Sequence, residues 1–170
     1  INSGRILGFE IPYTADEIDA ACIAVVAANG LTDAYVRPLA WRGSEQLSVS
    51  AQQTRIHLAI ATWPWPNLFG DDRMKGVRLG MAPWKRPHPE TAPTASKAAG
   101  LYMIGTLSKH SAEAAGYDDA LMLDWRGQVS EATGANIFFV MDGALHTPTP
   151  DCFLDGITRR TVMALARQQQ

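Results

Sequence analysis

Thr94-Ala-Ser-Lys97-Ala-Ala-Gly100-Leu-Tyr102, and beyond Gly116 the run Ala120-Leu-Met-Leu-Asp124, Trp125-Arg-Gly127, Gln128-Val-Ser-Glu131, reads as a helix followed by a strand, a turn and a returning strand. Thr94 or Ser96 is placed to cap a helix running to about Ala115, and Gly116 supplies the stop. The short apolar run from Ala120 to Asp124 reads as a strand, Trp125-Arg126-Gly127 as a turn, and Gln128 to Glu131 as its return. Downstream, Asn136 to Met141 and Ala144 to Thr147 flank Asp142-Gly143, a strong two-residue hairpin signal. A last helical pattern, Thr158 through Arg167, places Val162, Leu165 and Ala166 as its apolar positions.

Upstream, Thr14-Ala-Asp-Glu17 is a capping box, in which the two side chains satisfy each other's orphan amides. The helix it opens carries Ile18, Cys22 and Val25 on one stripe and ends at Asn29-Gly30. From Ala34 to Trp41 the alternation puts Tyr35, Arg37, Leu39 and Trp41 on one strand face, and Pro38 marks the strand as an edge or bulged one. A second strand, Arg55 to Thr62, alternates Ile56, Leu58 and Ile60. These elements form a small α+β unit over residues 1–65. Pro and Gly then break both periodicities, so 66–75 reads as a linker, and 76–170, opening with a short strand at Val77, Leu79 and Met81, reads as a second unit. Asn2-Ser3-Gly4-Arg5 reads as loop. The opening at Ile1 without an initiator Met, and the uncapped ending in glutamines, are expected of a segment of a longer protein.

Composition excludes several classes. With 46% hydrophobic and 19% charged residues, the 170-residue chain is able to bury a core and is not disordered. A net charge of −2 argues against a nucleic-acid binder. The longest small and apolar run, Ala20 to Ala28, is far short of the roughly 20 residues that span a bilayer. Cys22 and Cys152 stand far apart outside any metal-ligand spacing, so a disulfide framework or zinc site is not expected, and a reducing cytoplasm is the default.

Taken singly, Lys97, Glu131 or Arg37 reads as an ordinary solvated or salt-bridged residue. Gly4-Arg-Ile-Leu-Gly-Phe lacks the context of a nucleotide loop, and no HExxH, GxSxG or Walker motif occurs. Their order carries more. Thr94 to Tyr102, Gly116 to Asp124, Glu131-Ala-Thr-Gly134-Ala-Asn136-Ile-Phe138, Asp142 to Pro148 and Gly156-Ile-Thr158-Arg159 together resemble the fold-type IV pyridoxal-phosphate enzymes. Within them the chain looks most like the branched-chain amino acid aminotransferases, through Ala34-Tyr35-Val-Arg37-Pro38, Trp63-Pro-Trp65 and Trp84-Lys-Arg86 as well. The resemblance implies an α+β, two-domain fold, a small α/β domain plus a larger β-barrel-like domain, both incomplete.

The resemblance also implies roles. Lys97 matches the family's Schiff-base lysine, a catalytic amine that works near neutral pH when partly desolvated. Tyr102 matches the tyrosine bonded to the cofactor's 3-hydroxyl. Five positions on a regular helix would leave it about 140° from Lys97, so Lys97 is expected before or at an irregular first turn. Glu131 matches the acid that pairs with the pyridine nitrogen and keeps it protonated. Gly134 and Asn136 match a turn beside the cofactor, and Leu154, Ile157 and Thr158 match the phosphate-binding segment at a helix start. The family's small-domain arginine and its C-terminal Gly-Thr-Ala turn have no counterpart between Ile1 and Gln170. Tyr35, Arg37 and Trp65 match substrate-facing positions, whereas Leu68 stands where the family often has tyrosine.

The implied activity is transamination of branched-chain L-amino acids (leucine, isoleucine, valine) with 2-oxoglutarate or glutamate, with pyridoxal 5′-phosphate as cofactor and small molecules as partners. A homodimer is the implied minimum assembly. Three alternatives stand beside it: a D-amino acid aminotransferase or aminodeoxychorismate lyase of the same fold, a non-catalytic binding domain, and an inactive fragment.

Overall fold

A computed structural model describes residues 1–65 and 74–169. It divides into two compact units, Ile1–Asp71 and Asp72–Gln170. Leu68 and most of the interdomain loop proposed over 66–75 lie outside the described residues.

The first unit opens with a short helix, α1 (Asn2–Ile6), where a loop is expected from sequence. Within it the missing side chain of Gly4 leaves room for the Phe9 ring and carbonyl; a Cβ there would stand 3.1 to 3.2 Å from both. The capping box forms as expected at the start of α2 (Ala15–Ala28): Glu17 N donates to Thr14 Oγ1 at 3.2 Å and Thr14 N to Glu17 Oε2 at 2.8 Å. At the other end Gly30, with φ +65°, lets its own amide reach Ala27 O and that of Leu31 reach Val26 O, a Schellman ending. β1 (Tyr35–Arg42) and β2 (Ile56–Trp63) pair antiparallel in unbroken register, Tyr35 opposite Trp63 and Pro38 opposite Ile60. Both are edges of a two-stranded sheet, which is why Pro38 costs no ladder bond that a central strand would need. Ile18 of α2 lies over Pro38, Ala40 and Leu58, so Tyr35, Arg37, Leu39 and Trp41 occupy the opposite face.

The second unit is built on a strand, helix, strand crossover. β3 (Leu79–Met81) runs parallel to β4 (Asp119–Leu123), and α3 (Tyr102–Ala114) connects and packs on them. β3 is shorter than expected, starting at Leu79 and not Val77. β4 turns into the antiparallel β5 (Val129–Ala132), giving sheet order β3-β4-β5. Ala120 and Met122 are fully buried and, with Ala112, Ala132, Cys152 and Phe153, form the core. The helix does not begin at a Thr94 or Ser96 cap. Ser96 Oγ donates back to Pro93 O at 2.7 Å, closing a turn, and a single 3-10 turn at Ala99–Leu101 precedes α3. Gly116, with φ +81°, ends α3 in the same Schellman geometry as α2.

Asp142-Gly143 makes its hairpin, with φ of +50° and +76°, between β6 (Phe139–Met141) and β7 (Ala144–His146). β6 is only three residues long; just before it Ile137 O accepts from Thr147 Oγ1 in place of a strand partner, and the Asn136 side chain donates to the Glu131 carboxylate and the Leu154 carbonyl. α4 (Ile157–Gln168) follows, one residue earlier at its start than its apolar pattern suggests. Of the barrel-like body the described residues contain this hairpin and the three-stranded sheet.

Candidate active site

Glu131 sits on β5 opposite Met122 and is 8% exposed. Its Oε1 lies 2.9 Å from Arg86 Nε, and its Oε2 accepts from Asn136 Nδ2 at 3.1 Å. The contact with Arg86 is one of charge, since buried Nε closes no directed hydrogen bond among the described residues. Arg86 is itself anchored, its amide to Leu123 O at 2.8 Å and its Nη2 to Thr133 O at 3.2 Å. Burial pushes the Glu131 carboxyl up from 4.5 to about 7, with the charges of Arg86 and then Lys97 pulling the other way. A carboxyl poised there exchanges a proton readily at neutral pH.

Lys97 stands in non-helical backbone between the Pro93–Ser96 turn and the 3-10 turn, which meets the requirement that it precede the regular helix. Its Nζ is 5.7 Å from the centroid of the Tyr102 ring. Helical periodicity would separate the two; the irregular turn brings them together. Lys97 is exposed, so the partial desolvation implied by the resemblance does not come from the residues packed around it. Tyr102 is exposed.

The third side is the start of α4. Gly156 is the N-cap and has no side-chain acceptor, so the first-turn amides at Ile157 and Thr158 are left for another partner. Ile157 and Thr158 are exposed. Leu154 is half-buried, and its carbonyl accepts from Asn136 Nδ2 at 3.1 Å. Gly134 lies in the turn closed by Ala132 N to Ala135 O at 2.8 Å, and a Cβ on it would meet nothing within 4 Å. Arg159, 7% exposed, ties α4 down through Asp155, Thr147 and the Pro148 carbonyl. An exposed amine, a buried carboxyl titrating near neutrality and an uncapped helix start fit a ligand that joins an aldehyde, a basic ring nitrogen and a phosphate.

In the first unit the substrate-facing candidates also gather. Arg37 Nη2 donates to Tyr35 Oη at 3.2 Å, and the guanidinium lies 5.1 Å from the Tyr35 ring and 5.4 Å from the Trp63 ring. Trp65 adds to the cluster, 4.8 Å from Tyr35 and 5.9 Å from Trp63. Two of these rings flank the Arg37 cation, and Trp65 extends the aromatic cluster beside them.

Residues 1–170 match the family described as Amino-transferase class IV. The chain belongs to the class IV aminotransferases. It is 42% identical over 168 residues to the probable branched-chain-amino-acid aminotransferase of Rickettsia conorii, covering 98% of this chain and 57% of that one. The branched-chain-amino-acid aminotransferase of Pseudomonas aeruginosa is 36% identical over 168 residues, with 55% of it covered. Among solved structures, the Escherichia coli branched-chain amino acid aminotransferase superposes with a TM-score of 0.94 at 35% identity, over 99% of this chain and 56% of that one. The Thermoproteus uzoniensis branched-chain aminotransferase with norvaline gives 0.92 at 37%, again over 99% and 56%. The chain thus spans about half the length of the relatives it matches. With mixed helices and strands, its fold is that of fold-type IV aminotransferases.

Two residues of this aminotransferase chain gain a role only from the structure. Arg86, inside Trp84-Lys-Arg86, is the counter-charge to Glu131 from 45 positions upstream, a pairing with no local signal. Trp63 is part of the Arg37 cluster; its cross-strand place opposite Tyr35 was hidden until the register was known. No helix among the described residues is long and apolar enough to cross a membrane.

Proposed function

We propose that this chain is part of an enzyme that transfers amino groups between branched-chain L-amino acids and 2-oxoglutarate, with pyridoxal phosphate as cofactor and Lys97 as the catalytic amine. The observation that carries the reading is the convergence within one unit of Lys97, the Tyr102 ring at 5.7 Å and a buried Glu131 that feels the lysine's charge. Pyridoxal phosphate, when bound, supplies an aldehyde that holds the substrate nitrogen and a ring that takes up the electron pair released at the α-carbon. Lys97 would be the base that removes the substrate's α-proton and delivers it to the carbon that was the cofactor's aldehyde. Glu131 is the partner for the ring nitrogen, keeping a proton on it. Tyr102 orients the ring through its hydroxyl, and the α4 amides at Ile157 and Thr158 hold the phosphate.

Related proteins support the substrate class. Another branched-chain amino acid aminotransferase, 36% identical to this chain, has been solved with N-(5′-phosphopyridoxyl)-L-glutamate, with pyridoxamine 5′-phosphate and with 4-methylvaleric acid. The last has leucine's carbon skeleton without the amino group, and the first joins glutamate to the cofactor. Arg37 with Tyr35 is suited to the carboxylate of either, and Trp63 and Trp65 to an apolar side chain. An apolar pocket separates neighbouring side chains by only about 1 to 3 kcal/mol per methylene, so leucine, isoleucine and valine would all be used.

The test is to mix the purified chain with pyridoxal phosphate, reduce with borohydride and map the modified lysine by peptide mass spectrometry. Labelling of Lys97 above Lys75, Lys85 and Lys109 is expected. Labelling spread evenly over the four would remove Lys97 from its role. A half-reaction with L-leucine against D-alanine, run on the complete enzyme, separates the branched-chain reading from a D-amino acid one.

A further inference from the structure

We propose that Asn136 is a positioning residue that braces the Glu131 carboxylate against the start of α4, and that position 156 is glycine because any side chain there would displace this carboxamide. Asn136 Nδ2 donates to Glu131 Oε2 and to Leu154 O, each at 3.1 Å. Both partners are acceptors, so the amide has one orientation; flipped, its oxygen would face a carboxylate and a carbonyl. Both hydrogens of the nitrogen are used. Oδ1 then points at Gly156, where a Cβ would stand 2.2 Å away.

Gly156 has φ −60°, a value any residue adopts, so conformational freedom does not explain the glycine. Space does. The carboxamide fills the volume of the missing Cβ, and one side chain joins the end of β5 to the residue that caps α4. Aspartate at 136 would set a second anion against Glu131, alanine would leave both acceptors short, and glutamine would overfill the gap. Glu131 and the α4 start are the two places proposed above for the ring nitrogen and the phosphate. The brace would therefore fix their spacing before any ligand arrives. Its functional meaning rests on that reading, but its existence is testable without cofactor.

The groups facing Glu131 are Arg86, Lys97 and Asn136. In the cofactor-free chain, carrying 13C-labelled glutamate, the Glu131 carboxyl is identified by loss of its signal in Glu131→Gln and followed against pH. Asn136→Ala removes a donor that favours the ionised form, so the ionisation constant is expected to fall about tenfold. Gly156→Ala, which substitutes neither Glu131 nor any residue facing it, is expected to move the constant the same way by displacing the Asn136 carboxamide. In the Asn136→Ala background, Gly156→Ala is expected to add nothing, the obstacle being gone. An unchanged constant in Asn136→Ala overturns the proposal, and so does a Gly156→Ala effect that persists in full in the double variant. If Gly156→Ala alone does not fold, recovery of folding in the double variant supports the brace, and failure of the double variant where Asn136→Ala folds overturns it. Failure of Lys97 to take up cofactor would leave this titration unchanged, so the two readings fail separately.

Discussion

Arg86 Nε and Glu131 Oε1 are 2.9 Å apart, with their side chains only 11% and 10% exposed. A pair this dry is held at a cost to both ions, and the cost shows in Glu131, whose carboxyl titrates at about 7 in place of 4.5. Its folded state holds the proton more tightly than the unfolded chain does. The stability linked to this group is therefore complete below pH 4.5, declines as pH rises and is gone above about 7, a change of roughly 3 kcal/mol. Asp124 has the opposite sign: burial raises its pKa, but the Gln128 amide and Arg126 outweigh that and hold it low. Urea unfolding at several pH values is expected to show a decline from about pH 4.5 to about 7 that Glu131→Gln removes and Arg86→Met extends to higher pH. A decline of equal size in Glu131→Gln would show that other groups cause it.

Lys97 is exposed, and its one described ring contact is the Tyr102 face. Lys97→Ala is therefore expected to abolish borohydride-trapped attachment of pyridoxal phosphate while lowering stability by less than about 1 kcal/mol. Thermal melting of the cofactor-free chain, beside the labelling assay, checks both parts. A reducible adduct of undiminished yield would exclude Lys97 as the attachment point.

In the proposed function Arg37 is the residue that offers charge to the substrate carboxylate, whereas Trp63 lies beside it at 5.4 Å. Replacing Arg37 by Ala is expected to weaken 2-oxoglutarate binding to the complete enzyme by about 2 kcal/mol, roughly thirtyfold. Trp63→Leu is expected to cost about 0.5 to 1 kcal/mol, no more than about fivefold. Titrations of the two variants side by side give the order; a larger effect at Trp63 would make the cluster a packing feature and not a carboxylate site.

Gly80, buried in β3, lies under Tyr117, and a Cβ there would stand 2.8 Å from the ring. Gly80→Ala must push the ring off the strand and is expected to cost about 1 to 3 kcal/mol. Gly134→Ala, facing open space, is expected to cost less than about 0.5 kcal/mol. Denaturation midpoints of the two compare crowding with exposure directly, and equal losses would contradict the packing described around Tyr117.

What is local was legible in the residues. The Thr14 capping box, the stops at Gly30 and Gly116 and the Asp142-Gly143 hairpin each depend on bonds among neighbours, and each formed where expected. Where the local pattern and the fold differ, a neighbouring group intervenes. Ser96 closes a turn onto Pro93 O and the backbone after it stays non-helical up to Ala99, while in α1 the missing side chain of Gly4 leaves room for Phe9.

By itself the sequence determined the order of elements, the family and the identity of the groups offered for chemistry, because these depend on residue type and short-range spacing. Their environment comes from long-range packing. Arg86 and Lys97 come toward Glu131 from the connection after β3 and Asn136 from the loop after β5, and its proton affinity is the balance between burial, which no local pattern records, and charges brought close by folding. The same holds at Gly156, where the reason for glycine is a carboxamide 20 positions upstream, visible only once both occupy one small volume.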